Sequence, residues 1–382
     1  MKALKTILKK NFPAPLLKKA FLIYNTIRIR TIDRILFPEY RIGQQQFLLY
    51  RQGYPFREGH INLDDLPAGR VKDYMNDWYN WTQEEFILEF NQVCWIEPRQ
   101  GWAIIPPHKL LYYSLGISRT LFLPKPGLLA FWKRKKVITL SRAISLRDTG
   151  EENYFHWFND VLAKLFFLRR QDIAIDKIPV IIAKKLWDKP YFQYYYGQSA
   201  LLQSLQWIIQ DDEYIRCESV IFCKPQTHRS DLWSDITAGL KLPDAQTPSR
   251  KIFLTRHKTR LRFIENSAEI EAICREQGYE IIDTDTMQPQ QQVALFASVS
   301  HLVGIHGAGL TNMIFSRPGC RVLELFPPPD LGYLPYHYIL LARVRDFHYR
   351  AVIGGPPVTP FSGGFQVEAH EFAQALAEFE MK

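Results

Sequence analysis

After residue 136, apolar residues fall into short runs that alternate with helical stripes. Residues 137–140 predict a strand. From 153 to 170, Tyr154, Trp157, Val161, Leu165 and Leu168 recur at helical spacing and predict one amphipathic helix. Residues 178–183 form an apolar β-type run, 198–209 read as helical, and 219–223 read again as strand. This alternation predicts a parallel sheet with both faces covered. Residues 225–250, with Pro225, Pro243 and Pro248, read as a connector with a short helix near 232–240. The pattern then restarts. Strands are expected at 251–255, 279–282, 301–305 and 321–326. Helices are expected at 267–277, 291–298 and 310–315, with Asn266 placed to cap the first and Gly278 to close it. This is a second doubly wound α/β unit, and such sheets place ligands at the carboxyl ends of their strands. Residues 367–379 predict a final amphipathic helix.

The earlier part of the chain has a different grammar. Residues 38–130 are rich in Pro, Gly, Trp and Tyr. Within them 84–90 predicts a short helix, and 93–106 predicts two short strands joined by a turn at 99–101. In the first 37 residues, Leu4, Ile7 and Leu8 share one helical face, and Leu17, Phe21 and Tyr24 another, among lysines. The expected division is a basic segment over 1–40, an α/β unit over 41–225, a second over 226–355 and a tail with its helix over 356–382.

Composition narrows the class. Of the 382 residues, 47% are apolar and 23% charged, an ordinary globular balance that excludes wholesale disorder, collagen and a coiled-coil rod. No apolar run approaches the roughly 18 residues of a membrane-spanning helix. The run at 20–24 is too short for a signal-peptide core. Of the net charge of +9, residues 1–41 supply +8, from ten basic and two acidic groups. The body is therefore nearly neutral, which argues against a nucleic-acid partner. The segment itself suits an anionic membrane surface or, equally, a helix packed on the body with a solvated basic face. Five cysteines with no CxxC or Cys/His cluster argue against a disulfide framework or a structural zinc, and point to a reducing, cytoplasmic setting.

Three constellations carry chemistry. His306-Gly307-Ala308-Gly309-Leu310-Thr311-Asn312 follows an expected strand and opens a helix. Its glycines admit close approach, and its helix start suits a diphosphate. Glu324, at the end of the next strand, could accept bonds from ribose hydroxyls. A tight turn needing glycine for geometry alone is the other reading. His156 and Asp160 lie four apart on one helical face, with Asn153 and Lys164 extending it. An imidazole–carboxylate pair is a general base for a hydroxyl nucleophile; an exposed pair on a solvated face is the alternative. The loop 255–262, with Arg256 and Arg262, is followed by Asn266 and Glu269. Its arginines could clamp a charged leaving group, or form a solvated basic loop. Asp283-Thr284-Asp285 has the DxD spacing of some metal sites, but a turn role is simpler.

Together these segments resemble glycosyltransferase family 61. The resemblance rests on residues 153–160, on the stretch from Phe253-Leu-Thr-Arg256 to Asn266 and Glu269, and on 306–312 with Pro318-Gly319 and Val322-Leu-Glu324-Leu. It covers roughly residues 135–330. Ala163-Lys164 replaces a common Pro-Arg, and Thr255 stands where serine is common. The resemblance implies a GT-B-like architecture, two Rossmann-like domains facing a cleft, with a basic N-terminal helical segment in front. It implies inverting, metal-independent transfer from a nucleotide-sugar donor to a saccharide or glycoconjugate hydroxyl, in a bacterial capsule or surface-polysaccharide setting, with no cofactor. It places Arg256, His306, Gly307 and Asn312 by the diphosphate. Arg262, Asn266, Ala308, Gly309, Leu310 and Thr311 join the expected nucleotide-sugar site, and Asp160 and His156 become the candidate catalytic residues. A non-catalytic carbohydrate- or nucleotide-binding protein at the membrane surface is the alternative.

Overall fold

A computed structural model of the chain describes residues 32–52, 84–116, 131–134, 136–226, 229–240, 248–257, 262–328, 337–359 and 362–381. The expected helical faces at Leu4–Leu8 and Leu17–Tyr24 lie outside the described residues. Among those described, the strands form one sheet of 10 and one of 5.

The larger sheet holds β1 (Glu39–Tyr40), β2 (Leu49–Arg51), β3 (Glu85–Phe90), β4 (Cys94–Ile96), β5 (Ala103–Ile105), β6 (Lys109–Leu111), β7 (Val137–Ser145), β8 (Val180–Ala183), β9 (Trp207–Gln210) and β10 (Tyr214–Lys224). Only β10, β7, β8 and β9 form the expected parallel array. The rest of the unit departs from a doubly wound sheet. β4, β5 and β6 pair antiparallel, and β3 and β4 run antiparallel to β10. The reason is connection length. The links from β4 to β6 are tight turns, too short for the crossover of about a dozen residues that parallel pairing needs. The turn expected at 99–101 is one of them, with Gly101 at φ +76° and the Glu97 carboxylate accepting the amide of Arg99 at 2.9 Å. Residues 84–90, expected to be helical, form β3 instead, clasped between β2 and β10.

Between β7 and β8 the chain runs through helix α1, over 154–170, whose middle turns, Trp157–Leu162, are π-helical. Helix α2 (Pro190–Gln198) and helix α3 (Ser230–Ala238) follow. Trp157, Val161, Leu165 and Leu168 of the expected stripe are buried and Tyr154 is half-buried, so the stripe does face the core, joined there by Phe158.

The second sheet is wholly parallel and contains β11 (Arg250–Leu254), β12 (Glu280–Ile282), β13 (Val299–Ile305), β14 (Arg321–Phe326) and β15 (His348–Ile353). Its order, β12-β11-β13-β14-β15, is a doubly wound order. The links hold α4 (Ser267–Glu276), α5 (Pro289–Ala297), the 3-10 helix Ala308–Phe315 and α6 (His337–Val344). Finally α7 (Ala369–Met381) buries Phe372, Leu376 and Phe379 against Val303 and Leu323. One contiguous apolar cluster includes Ile144 and Val180 of the first sheet, Phe158 of α1, Trp233 of α3, and Ile252 and Val322 of the second sheet. At about 1.5–3 kcal/mol per buried large side chain, this shared core holds α1 firmly beside the second sheet.

Candidate active site

β11 and β13 are neighbours, but the chain leaves them toward opposite edges of the sheet, to β12 and to β14. Such a divergence opens the crevice in which open α/β sheets bind ligands. Thr255-Arg256 emerges there from β11, and His306-Gly307 from β13. Arg256 Nη1 donates to the His306 carbonyl at 3.3 Å. Its guanidinium crosses Gly307 so closely that a Cβ there would overlap Nη1. Gly307 is extended, with φ 167°, so glycine is required by this approach and not by its backbone angle. A Cβ on Gly309 would press on Leu254 at 3.2 Å and on Thr284 Oγ1 at 3.3 Å. The amide of Leu310 is bonded to the Gly307 carbonyl at 3.0 Å. The amides of Ala308 and Gly309, at the helix start, have no intrahelical acceptor, and both residues are half-buried.

His306 is buried at 6% exposure, stacked on Phe326 at 5.0 Å and edge-on to Tyr338 at 5.5 Å. Its Nδ1 lies 2.5 Å from Glu324 Oε1, and Tyr349 donates its phenol proton to Glu324 Oε2 at 2.6 Å. Burial pushes the Tyr349 phenol well up, and the Glu324 charge adds to this, so Tyr349 stays a neutral donor.

The second group sits at the start of α1. Asn153 caps the helix by accepting the Phe155 amide at 2.9 Å. His156 Nδ1 and Asp160 Oδ2 are 2.6 Å apart, and Asn159 donates to the other Asp160 oxygen at 3.2 Å. Burial opposes a charge on either partner. Their mutual bond outweighs it, raising the imidazole above 6.5 and lowering the carboxyl. A turn further on, Lys164 donates to Asp148 at 2.8 Å in a buried pair. Lys164 and Lys224 both add to the lowering of Asp160.

Two links bring the groups together. Tyr154 donates to Asn312 Oδ1 at 2.8 Å, tying α1 to the glycine turn. The start of α6 forms the other. His337 lies 4.5 Å from Phe155, ring to ring, and Tyr338 packs on both Phe155 and His306. Burial, and then the neighbouring imidazoles of His306 and His156, push the His337 imidazole down to about 3. His337 therefore lies within electrostatic reach of both imidazole–carboxylate pairs.

Residues 154–323 match the family model described as Glycosyltransferase 61. The chain carries a glycosyltransferase 61 domain. Among curated proteins, it is 24% identical over 308 residues to "Protein O-linked-mannose beta-1,4-N-acetylglucosaminyltransferase 2" of Tetraodon nigroviridis, covering 70% of this chain and 52% of that protein. It is 22% identical over 317 residues to the protein of the same name from Takifugu rubripes, covering 70% and 53%. A shorter stretch of 89 residues, 22% of this chain and 15% of that protein, is 33% identical to "Alpha-1,3-arabinosyltransferase XAT3" of Oryza sativa subsp. japonica. The chain thus spans about half the length of the two fish proteins it matches.

Within the glycosyltransferase 61 domain, Arg256, His306, Gly307, Ala308 and Gly309 gather at one crevice. Arg262 reaches the same neighbourhood. It and Arg256 both act on Tyr338, whose phenol is raised chiefly by burial. Five other expectations need correction. Asn312 is fully buried and fully used by Tyr154, by Gln292 at 2.8 Å and by the Gly309 carbonyl at 3.1 Å, so it fastens the turn and does not face a ligand. Leu310 and Thr311 are likewise fully buried. Asn266 makes no side-chain cap. It brackets the backbone of Val367, donating at 2.8 Å and accepting at 3.1 Å. Glu324 is fully buried with both oxygens taken, which removes it from contact with ribose. Asp283 needs no correction: it accepts the Asp285 amide at 2.9 Å and makes the turn that was the simpler reading of the DxD spacing.

Sequence reasoning missed Tyr349, His337 and Tyr338. All three lie beyond the last expected strand, in a region without a clear apolar period.

Proposed function

We propose that this protein is an inverting glycosyltransferase that moves a sugar from a nucleotide-sugar donor to a hydroxyl of a saccharide or glycoconjugate. The observation that carries this reading is the fastening of the helix that bears the His156–Asp160 pair, through Tyr154 to Asn312 and through Phe155 to Tyr338 and His306, onto the glycine turn that Arg256 crosses. The diphosphate of the donor lies on the amides of Ala308 and Gly309 and against Arg256, with Arg262 adding positive charge. His156 accepts the acceptor's proton at Nε2 while Asp160 holds its Nδ1–H. The acceptor oxygen attacks the anomeric carbon from the face opposite the diphosphate. The bond to the diphosphate breaks with its electron pair on the leaving oxygen, and configuration inverts. His156 suits the base better than Asp160, because a carboxylate whose pKa is lowered is a weaker proton acceptor. Leaving-group charge is met by guanidinium and helix amides, so the reaction needs no metal.

The two sheets would then be the halves of a GT-B arrangement, with closure excluding water from the donor. The surface-polysaccharide setting rests on the family resemblance alone. The basic segment would hold the enzyme against an anionic membrane face on the cytoplasmic side. Ile35 and Leu36, at its described end, are 77% and 36% exposed.

The test is thermal stabilisation by a panel of nucleoside diphosphates, followed by incubation with donor sugars and acceptors. Stabilisation with release of nucleoside diphosphate is expected. Binding without any turnover would favour a non-catalytic binding protein, and no stabilisation by any diphosphate would overturn the donor site.

A further inference from the structure

Glu324 is a fully buried carboxylate that no ligand can reach, and buried charges in proteins are paired. Its partners are unequal. Tyr349 offers a neutral hydroxyl at 2.6 Å, whereas His306 offers a group that can become a cation at 2.5 Å. Because Glu324 accepts, Nδ1 of His306 must carry its hydrogen. The other ring nitrogen, Nε2, has no hydrogen-bond partner among the described residues and is not among the buried orphaned atoms. Nε2 is therefore not sealed from solvent, in a side chain that stands beside Arg256 at the crevice. In the neutral ring this atom is a lone pair, which a diphosphate oxygen would repel.

We infer that nucleoside diphosphate binding is coupled to uptake of a proton at His306 Nε2, with Glu324, braced by Tyr349, holding the resulting imidazolium. This rests on the donor reading given above. The proton comes from solvent and converts Nε2 from acceptor to donor. The cation then answers Glu324 on one side and the diphosphate on the other. The charged and titratable groups around His306 are Glu324 on β14, Tyr349 behind it on β15, Tyr338 and His337 on α6, and Arg256 after β11, with Arg262 beyond Tyr338. Among the described residues, Arg256 is the one cation hydrogen-bonded to the His306 backbone, and it opposes the proton. Among them too, Glu324 is the one carboxylate bonded to the ring. Tyr349 fixes the second Glu324 oxygen, so the carboxylate cannot turn away from His306. Under this inference Glu324 and Tyr349 are positioning residues, and His306 is the residue that touches the substrate.

The experiment is calorimetric titration of the full chain with uridine, guanosine, cytidine and adenosine diphosphates. It is run in two buffers of different ionisation enthalpy at about pH 8, where the ligand phosphates are already ionised. The dependence of binding heat on the buffer counts protons. Wild-type protein is expected to take up a substantial fraction of one proton with the diphosphate it binds. Glu324→Gln is expected to take up almost none and to bind about tenfold more weakly. Tyr349→Phe should fall between them. Arg256→Ala should weaken binding while leaving proton uptake unreduced. Nitrogen NMR of histidine-labelled wild-type protein gives a readout that needs no variant. His306 should show the Nδ1–H tautomer alone and both N–H groups when bound. Binding without proton uptake, or uptake undiminished in Glu324→Gln, overturns this inference and leaves the donor reading standing. Failure of all four diphosphates to bind overturns the donor reading, and this inference with it.

Discussion

Replacing Gly307 by alanine tests the donor site with the smallest perturbation the structure offers. The backbone at 307 is extended, with φ 167° and ψ 172°, and alanine adopts it without strain. Shortening the unfolded chain's freedom should even add about 0.4–1 kcal/mol of stability. The new methyl would occupy the position of Arg256 Nη1. The far end of an arginine can swing away, so the fold survives while the guanidinium leaves its place. The 3.3 Å bond to the His306 carbonyl is lost, and so is the contact with the diphosphate. A hydrogen bond involving a charged partner contributes about 1.5–3 kcal/mol, so diphosphate affinity should fall by about tenfold to a hundredfold. Thermal unfolding should move by a few degrees at most. The assay is calorimetric titration of wild type, Gly307→Ala, Arg256→Ala and the double variant with the diphosphate found by the stabilisation screen. Both single variants should be weak, and the double variant should be no weaker than Arg256→Ala, because both remove the same contact. Unchanged affinity in Gly307→Ala, or losses that add in the double variant, would refute the placement of the diphosphate beneath Arg256.

Three further outcomes are expected. First, the pH–rate profile should rise with a midpoint above 6.5, because His156 must lose its proton to act and its pKa is raised. Asp160→Asn should lower that midpoint and cut turnover by about 10²–10⁴-fold with donor affinity nearly intact; a midpoint at or below 6.5 in wild type counts against His156 as the base. The stability contributed by this pair has the matching signs. It is lost as pH rises through the raised value of His156, and lost again as pH falls through the lowered value of Asp160. Second, Asn312→Ala should destabilise the protein by about 1–3 kcal/mol in denaturant unfolding, since it strands the partners of a buried amide, while the surviving folded protein binds diphosphate with little change. Affinity lost without stability would return Asn312 to the ligand. Third, Lys164→Met should cost about 3–5 kcal/mol, because it leaves Asp148 charged and buried without its 2.8 Å partner. A cost below about 1 kcal/mol would show that water reaches the pair.

How far the chain could be read depended on burial. In the second sheet, the inner parts of β11, β13 and β14 are buried, so each appears in the sequence as a short, mostly apolar run, Ile252–Leu254, Leu302–Ile305 and Val322–Phe326. β15 is an edge strand with mostly half-exposed residues, and its mixed run His-Tyr-Arg-Ala-Val-Ile carries no such signal. Tyr349 was missed for that reason. Glu85–Phe90 is too short for periodicity to separate helix from strand. Partners far along the chain, Val220–Lys224 of β10, made it a strand. Helix α2 is rich in tyrosine and half-exposed residues, and shows no apolar stripe.

The sequence alone determined most of the alternation of elements after residue 136, although Trp207–Gln210, expected as the end of a helix, is strand β9, and β15 went unread. It also set the one-turn spacing of His156 and Asp160, and the glycine turn after a buried strand, because these are local matters of period and backbone room. The tertiary structure decided what faces a ligand. Glu324 and Asn312 read from the sequence as ligand contacts and became buried struts. Their partners, Tyr349 and Tyr154, are 25 and 158 residues away in the chain. A polar side chain's role is fixed by which partners satisfy it, and packing between distant segments chooses those partners.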